Sequence, residues 1–286
     1  MKLLITGASG QLGQDCVRLM LDRHEICALT SKQLNITDAE TVQGAVACVR
    51  PDVLINCAAY TAVDACENEI NCCMAVNALG AANLAAACAA SGCRLIHIST
   101  DYVFDGSKPA PEPYTEEDAV SPVSAYGRSK LAGEQAIAER LENSLILRTA
   151  WLYGIGGRNF LKTILRLARA KRPLKVVNDQ HGSLTWTMTL AQQIERLLDS
   201  SLCGIAHATA EGHCTWFEAA SCFLEAMQVA WPITPCTTAD YPTPARRPAN
   251  SILENRRLKE HGLNVMRDWR TDLDDFVRLH REELLS

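Results

Sequence analysis

Cysteine and histidine pairs at metal-binding spacing are missing from this sequence of 286 residues. It contains no Cys-x-x-Cys and no His-x-x-x-His, which argues against a zinc site. The thirteen cysteines are odd in number and irregular in spacing, so a disulfide framework is also disfavoured. Several lie among alanines, as in "ANLAAACAASGCRLI" (82–96), where a free thiol packs as a small apolar group. We therefore expect a reducing, cytoplasmic setting and no metal.

Excess basic charge and long apolar runs are also missing. Lys and Arg number 28 against 33 Asp and Glu, which gives a net charge of -5. A nucleic-acid-binding surface needs clustered basic residues, so nucleic acid is not an expected partner. No segment approaches the roughly 20 apolar residues of a membrane span. The start, "MKLLITGASG", has too short an apolar part for a signal peptide, and we expect no membrane partner.

Residues 1–150 alternate short β-rich runs with helical stretches. The pattern predicts strands at 2–6, 25–30, 51–59, 94–100 and 144–149, and helices at 10–23, 38–50, 70–92 and about 124–142. Strands that alternate with helices form right-handed βαβ crossovers and a parallel sheet covered on both faces. The predicted fold class is α/β, a doubly wound parallel sheet (Rossmann fold).

The pattern after residue 150 is less regular and predicts a smaller C-terminal substrate-binding part. Helices are predicted at 159–172 and 189–200, strands at 174–179 and 204–209, and a proline-rich stretch at 231–251 before two short helical stretches. We assign residues 1–150 to a dinucleotide-binding domain, to which roughly 174–210 return, and residues 151–173 and 211–286 to the substrate-binding part. A C-terminal part of this kind usually lies over the carboxyl edge of the sheet, where such folds bind ligands.

The segment "TGASGQLG" (6–13) places Gly7, Gly10 and Gly13 between the first strand and the first helix. Glycines at this point permit a tight turn and let the backbone approach a pyrophosphate at the helix N-terminus. The spacing is G-x-x-G-x-x-G, and its position at the end of the first strand favours dinucleotide binding over a simple turn.

The end of the second strand, "ALTSK" (28–32), lacks the acidic residue that would hold the ribose 2′-hydroxyl of NAD. Hydroxyls such as that of Thr30, followed by Lys32, are suited to a 2′-phosphate instead, and we expect NADPH to be accepted at least as well as NADH. In "NITD" (35–38), we expect the loop to run beside the adenine of the cofactor, with contacts from Asn35 and Ile36. The alternative for the polar residues of this segment is a plain helix N-cap by Thr37 or Asp38.

Two further segments end strands on the same carboxyl edge. "NCAAYTAVDACE" (56–67) offers the small residues Ala58 and Ala59 for close approach of a cofactor, followed by Tyr60 and Thr61 at the cleft. "STDYVFDG" (99–106) offers the hydroxyl of Ser99 or Thr100 to a substrate oxygen. A turn rich in hydroxyls is the alternative for this second segment.

The segment "AYGRSK" (125–130) places Tyr126 and Lys130 one helical turn apart on one face. A phenol with a pKa near 10 is a poor acid–base catalyst at neutral pH. A neighbouring ammonium favours the phenolate, so such a pair can pass a proton to a carbonyl oxygen while a cofactor supplies hydride.

Taken in order, these four motifs resemble the extended short-chain dehydrogenase/reductase family, and the resemblance covers essentially the whole chain. More specific segments lie in the second half: "RTAWLYG" (148–154), "GGRNFLKTILRLA" (156–168), "VNDQHGSLTW" (177–186), the stretch 207–216 and "YPTPARRPANSILENRRL" (241–258). The resemblance implies reduction of dTDP-4-dehydro-β-L-rhamnose to dTDP-β-L-rhamnose by hydride transfer from NADPH or NADH, in dTDP-rhamnose biosynthesis.

The resemblance also assigns roles residue by residue. It implies a catalytic set of Thr100, Tyr126 and Lys130, and a cofactor site lined by Gly10, Gln11, Leu12, Asn35, Ile36, Ala59, Tyr60 and Thr61. It implies substrate contacts from Asp101 and Tyr102 beside Thr100, from Trp151, Asn159 and Gln180, and from Arg246 or Arg247. The alternatives are a core aromatic for Trp151, a helix N-cap for Asn159 and a surface charge for either arginine.

Two positions depart from the family pattern. Cys57 stands where alanine is more frequent, and Asn35 stands where the family usually has an acid, which weakens the predicted adenine contact. Some relatives hold Mg²⁺ at a dimer contact, but no motif here supports Mg²⁺, and a homodimer stays open.

Two other functions remain open from the sequence. A nucleotide-sugar 4-epimerase of the same fold uses the same Thr/Tyr/Lys set, whereas a 4,6-dehydratase needs an acid where this chain has Tyr102. A non-catalytic regulatory subunit, like the β subunit of methionine adenosyltransferase, also resembles the chain over most of its length.

Overall fold

A central parallel sheet organises the computed structural model, which describes all of residues 1–286. The chain forms twelve strands: β1 (Lys2–Thr6), β2 (Glu25–Leu29), β3 (Val53–Asn56), β4 (Arg94–Thr100), β5 (Ser144–Thr149), β6 (Leu152–Tyr153), β7 (Leu174–Val177), β8 (His181–Gly182), β9 (Thr185–Trp186), β10 (Gly204–His207), β11 (Cys214–Thr215) and β12 (Ile233–Cys236).

Eleven α-helices accompany these strands: α1 (Gln11–Met20), α2 (Ala39–Val49), α3 (Val63–Cys66), α4 (Ile70–Met74), α5 (Gly80–Ser91), α6 (Ala125–Ala138), α7 (Phe160–Arg169), α8 (Thr187–Leu198), α9 (Trp216–Ala226), α10 (Arg256–Glu260) and α11 (Trp269–Leu285). A π-helical turn at Ala75–Leu79 joins α4 to α5, and short 3₁₀ turns lie at Asp101–Val103 and Thr238–Asp240.

The strand order of the main sheet is β10-β5-β4-β3-β1-β2, and every neighbouring pair is parallel. The order reverses at β1, because β2 lies on one side of it and β3 on the other. In an open parallel sheet the loops diverge at this point and leave a crevice beyond the carboxyl ends of the strands. The predicted doubly wound α/β fold is confirmed.

Side-chain alternation along β1 supplies both faces of the sheet. Leu3 and Ile5 pack in a buried cluster with α1 and α8, whereas Leu4 packs with α2, α5 and α6 on the opposite face. Successive side chains of a strand point to opposite faces, so a continuous apolar run is what a sheet covered on both sides requires.

A third buried cluster lies outside the sheet, in the second half of the chain. It brings together residues of α7, α9, α11 and the short strands, including Tyr153, Trp186, Phe223, Trp269 and Phe276. The C-terminal elements therefore have an apolar core of their own.

Several sequence predictions need correction. Strand β7 does not return to the main sheet but pairs with β12, and β6 pairs with β9. Of the 174–210 segment only β10 joins the main sheet, while α8 packs on one face of it. Helix α9 was not predicted, and the final helix has 17 residues instead of being short. Both helices belong to the C-terminal core, where long-range packing defines elements that local patterning leaves ambiguous.

The continuous helix Ile70–Ser91 also corrects an expectation. Its 22 residues are long and apolar enough, by length and composition alone, to cross a membrane, so the statement that no segment qualifies is wrong for this helix. The helix packs against α2 and α6 in the body of the protein. A buried core helix of this kind passes the same test, and the finding is weak evidence for a membrane span.

Candidate active site

A cavity of about 470 Å³ lies beyond the carboxyl ends of β1, β3, β4 and β5. Its lining includes most of the residues that the sequence singled out: Gly10, Gln11, Leu12, Gly13, Ala59, Thr61, Thr100, Asp101, Tyr102, Tyr126, Lys130, Trp151, Asn159 and Arg247. A second cavity, of about 550 Å³, lies between α7 and α11 and contains none of these residues. The residues that the sequence predicts to carry the chemistry therefore line the first cavity and not the second.

The glycine turn closes one end of the site. Gly7 has φ +68°, and a Cβ there would lie 2.5 Å from the backbone nitrogen of Ala58, so a side chain cannot be accommodated. A Cβ on Gly13 would lie 2.3 Å from the Gly7 carbonyl oxygen. Helix α1 begins after Gly10 with no side-chain cap, which leaves the first backbone N–H groups without a side-chain acceptor. This cradle fits an anionic pyrophosphate.

Three residues predicted at the 2′-phosphate or at the adenine, Thr30, Asn35 and Ile36, do not line this cavity. The Thr30 hydroxyl donates to Gln33 Oε1 (2.8 Å), and the Ile36 side chain is buried in the core. Asn35 Oδ1 accepts hydrogen bonds from the backbone and hydroxyl of Thr37. Asp38 is the N-cap of α2, as the alternative predicted.

Only part of the "AAYT" segment lines the cavity. Ala59 and Thr61 line the cavity. The Tyr60 backbone is held by Asn77, whose amide accepts from Tyr60 N (2.8 Å) and donates to Tyr60 O (3.1 Å). The Tyr60 hydroxyl donates to Glu69 (2.5 Å), which raises the pKa of Tyr60 to about 12. Sequence reasoning missed Asn77, because it lies on the π-helical turn, 17 residues further along the chain.

Thr100, Tyr126 and Lys130 meet at this cavity from β4 and α6. Lys130 is 1% exposed, and its Nζ donates to the Ile98 carbonyl oxygen at 2.6 Å. Burial lowers the pKa of Lys130 to about 8 and raises the pKa of Tyr126. Helix α6 is set in place by Ser124, whose hydroxyl caps it by accepting from Gly127 N. At neutral pH Tyr126 is thus a protonated phenol, one helical turn from a lysine whose pKa is lowered by burial.

The Asp101 carboxylate lies beside this set. Thr100 Oγ1 donates to Asp101 Oδ1 at 3.0 Å, while the other carboxylate oxygen is buried without a partner in the protein. Burial raises the pKa of Asp101 to about 6. A buried oxygen without a partner at a cavity wall is suited to accept a hydrogen bond from a ligand hydroxyl.

An aromatic stack forms another part of the cavity lining. The Trp151 indole lies against that of Trp216, with ring centroids 3.5 Å apart and planes at 8°, and Phe160 follows at 4.5 Å from Trp216. Trp151 has φ +49°, which is unusual for a residue with a side chain. Sequence reasoning missed Trp216, which lies at the end of the quoted 207–216 stretch.

The polar residues of the substrate side differ in their positions. Asn159 Oδ1 caps α7 by accepting from Lys162 N, and its Nδ2 donates to Gln11 Oε1 (2.9 Å), so the N-cap reading and the cavity position both hold. Gln180 is buried and donates to Thr238 Oγ1 outside the cavity.

Of the two candidate arginines, only Arg247 reaches the cavity. It donates to the Tyr102 hydroxyl (3.0 Å) and forms an ion pair with Asp64 (3.0 Å). Arg246 is exposed and does not line the cavity.

The structure brings together no three His, Cys, Asp or Glu side chains that could hold a metal ion. The thirteen cysteines are free thiols.

A family model described as "RmlD substrate binding domain" matches residues 1–281. The chain belongs to this family. It is 40% identical to the spore coat polysaccharide biosynthesis protein SpsK of Bacillus subtilis, over 97% of each chain. It is 40% identical to a dTDP-4-dehydrorhamnose reductase of Burkholderia thailandensis, over 94% of this chain and 96% of that one.

A solved structure of this kind extends the likeness to three dimensions. The dTDP-4-dehydrorhamnose reductase of Bacillus anthracis, crystallised in complex with NADP, is 38% identical and covers 97% of this chain and 99% of its own, with a TM-score of 0.94. The expected resemblance to reductases of the extended short-chain family is therefore confirmed.

Proposed function

We propose that this family member is a dTDP-4-dehydrorhamnose reductase, which reduces dTDP-4-dehydro-β-L-rhamnose to dTDP-β-L-rhamnose with NADPH or NADH. The observation that carries the proposal is the convergence of Thr100, Tyr126 and Lys130 on one cavity that also contains the uncapped N-terminus of α1. The named relatives support the same activity.

The dinucleotide is held at the glycine turn. Gln11, Leu12 and Gly13 line the cavity at the uncapped N-terminus of α1, where a pyrophosphate fits, and Gly7 keeps the turn close to Ala58. When bound, the nicotinamide supplies the hydride. The absence of an acid after β2 supports acceptance of NADPH. Lys32, three residues after the end of β2, is the nearest exposed cation that could bind the 2′-phosphate.

The proton comes from the protein. Tyr126 is protonated at neutral pH because its burial raises its pKa, so its hydroxyl is a donor to the C4 oxygen of the sugar. Thr100 holds the same oxygen through its hydroxyl. Lys130 stabilises the phenolate that remains and returns a proton to it.

The sugar nucleotide is held by the other wall of the cavity. We propose that Trp151 contacts the sugar nucleotide, that Asp101 accepts from a sugar hydroxyl, and that Arg247 faces the diphosphate, for which a guanidinium supplies paired donors. Trp151 and Arg247 belong to the part assigned to substrate binding, 151–173 and 211–286, whereas Asp101 reaches the sugar from the dinucleotide-binding domain, residues 1–150.

We propose further that the enzyme is cytoplasmic and forms a homodimer. The apolar side chains of Ile70, Met74 and Leu79, exposed along one helix, support an interface. The measurement is the molar mass by light scattering, in the wild type and in Leu79→Lys, and a monomeric wild type would contradict the dimer.

The decisive experiment is NADPH oxidation assayed against a panel of 4-keto sugar nucleotides that vary in base and in sugar configuration. We expect turnover to be fastest with dTDP-4-dehydro-β-L-rhamnose. Turnover of none of them, together with tightly bound NAD in the purified protein, would instead indicate the 4-epimerase. Absence of turnover with co-purification of a larger catalytic chain would indicate the regulatory subunit.

A further inference from the structure

A chain of buried polar side chains runs beneath Lys130. It comprises Thr6 on β1, Asn56 on β3 and His97 on β4. These three residues and Lys130 are each 1% exposed. Thr6 Oγ1 lies 2.7 Å from Asn56 Oδ1, Asn56 Nδ2 lies 2.8 Å from His97 Nδ1, and His97 Nε2 lies 3.2 Å from Lys130 Nζ. The proposed reaction assigns no role to the first three.

The direction of the Asn56 amide is determined by the backbone. The N–H of Ala58 can only donate, and it lies 3.0 Å from Asn56 Oδ1. The opposite amide orientation would place two donors against each other. Asn56 Nδ2 therefore faces His97 Nδ1, and because an amide NH₂ has no acceptor capacity, Nδ1 must be the unprotonated nitrogen.

The His97 tautomer constrains Lys130 in turn. A neutral imidazole with an unprotonated Nδ1 carries its proton on Nε2, the nitrogen that faces Lys130 Nζ. An ammonium group has no lone pair to accept that proton, whereas a neutral amine accepts it and still donates to the Ile98 carbonyl oxygen. A doubly protonated His97 is disfavoured, because burial lowers the pKa of His97 well below its ordinary value.

The charged and titratable groups around Lys130 do not reverse this preference. Glu134, on the same helix, forms an ion pair with Arg148 at 2.7 Å and is thereby already compensated. The thiols of Cys57 and Cys73 face Lys130 from the end of β3 and from α4. The pKa of Lys130 is nevertheless lowered to about 8, since burial outweighs these groups.

We propose that His97 is a positioning residue that holds Lys130 as a neutral amine in the unliganded protein, and that Asn56 sets this state by selecting the Nε2–H tautomer. Protonation of Lys130 breaks its contact with His97 and turns the ammonium toward the cavity and Tyr126. The protonated lysine then presents its proton to the Tyr126 phenol and not to His97 on β4. Only this last step rests on the proposed reductase function.

The test is NMR of the full-length protein without any sugar nucleotide, so its outcome is independent of reductase activity. Histidine ¹⁵N shifts are assigned by the loss of one signal pair in His97→Gln, and lysine ¹³Cε shifts by the loss of one signal in Lys130→Met. We expect His97 to be protonated on Nε2 alone, and Lys130 to titrate at least one unit below the exposed lysines. Protonation of His97 on Nδ1, or a lysine signal that stays cationic to pH 10, would overturn the proposal.

Asn56→Asp tests the cause. A carboxylate at this position accepts from Ala58 N and from a proton on His97 Nδ1, so it leaves Nε2 as an acceptor for an ammonium. We expect the tautomer to reverse and the pKa of Lys130 to rise by at least one unit. A rise without tautomer reversal would mean that charge alone acts, and would overturn the role of Asn56.

Thr6→Val is the matched control, because it removes one hydrogen bond of the series, that from Thr6 to Asn56, without changing the orientation of Asn56. Ala58 N still orients Asn56 in this variant, so the tautomer and the Lys130 titration should stay as in the wild type. A changed His97 tautomer in Thr6→Val would count against the proposal, and the wild-type spectra decide the matter if Asn56→Asp does not fold.

Discussion

The indole rings of Trp151 and Trp216 lie face to face, 3.5 Å apart at their centroids, in the lining of the cavity that also contains Tyr126. A Cβ on Gly182 would lie 2.4 Å from Trp151 Cε2, so the backbone behind the stack leaves this indole little room. Trp151 makes both contacts from a left-handed backbone conformation, with φ +49°. The orientation of a predicted substrate residue therefore depends on a residue 65 positions away.

Replacing Trp216 should weaken substrate binding more than chemistry. In Trp216→Leu the stack on Trp151 is lost, and an aromatic pair contributes about 0.5–1.5 kcal/mol, so we expect KM for the sugar nucleotide to rise roughly 2- to 10-fold with kcat little changed. Steady-state kinetics with varied sugar nucleotide measure this. Trp231→Leu, whose indole donates to Arg172 O outside the cavity, is the matched control. A fall confined to kcat would contradict the binding role.

Removing the Tyr126 hydroxyl should abolish proton donation while leaving the cavity intact. We expect Tyr126→Phe to lower kcat by roughly 10²-fold or more, in the range of general acid catalysis, with cofactor affinity little changed. NADPH oxidation gives the rate, and NADPH fluorescence titration gives the affinity. Tyr241→Phe, at an exposed tyrosine, serves as the control. Wild-type turnover in Tyr126→Phe would remove the phenol from the mechanism.

The buried Asp101 carboxyl should lower the free energy of unfolding more at alkaline pH, where it is ionised, than at acid pH, where it is protonated. Burial raises the pKa of Asp101 from 3.8 to about 6, so the folded state binds this proton more tightly than the unfolded chain. The contribution is fully present below the unfolded value and is lost as the pH rises through 6. We expect Asp101→Asn to raise the free energy of unfolding by about 1–3 kcal/mol at pH 8 and by little at pH 4. Urea denaturation at both pH values measures this change in the free energy of unfolding. An equal change at pH 8 and at pH 4 would contradict a raised pKa for Asp101.

Cofactor selectivity should respond to Lys32. We expect the Lys32 ammonium to bind the 2′-phosphate of NADPH. Lys32→Ala should then raise KM for NADPH about five-fold, the size expected for loss of an exposed charge pair of about 1 kcal/mol, and leave KM for NADH unchanged. The ratio of kcat/KM for the two cofactors is the readout. Lys175→Ala, another exposed lysine, controls for loss of charge. A strong NADH preference in the wild type would contradict the selectivity drawn from "ALTSK".

Local patterning predicted the sheet well but the C-terminal elements less well. Strands such as β1 and β4 are short runs rich in apolar residues, and their length and flanking turn residues identify them without reference to the rest of the fold. Helix α9 and the pairing of β7 with β12 depend on a core built from α7, α9 and α11. No single segment carries that information, because each element is stabilised by partners distant in sequence.

The sequence by itself determined the glycine turn at residues 7–13 and the Tyr126/Lys130 pair, because both are short-range patterns whose spacing alone sets their geometry. Only the tertiary structure decided that Arg247 reaches the cavity and Arg246 does not, that Trp216 supports Trp151, and that His97 faces Lys130. Those relationships depend on the direction of side chains carried by separate strands and helices. That direction exists only once β1, β3 and β4 have paired and α6 has packed on them.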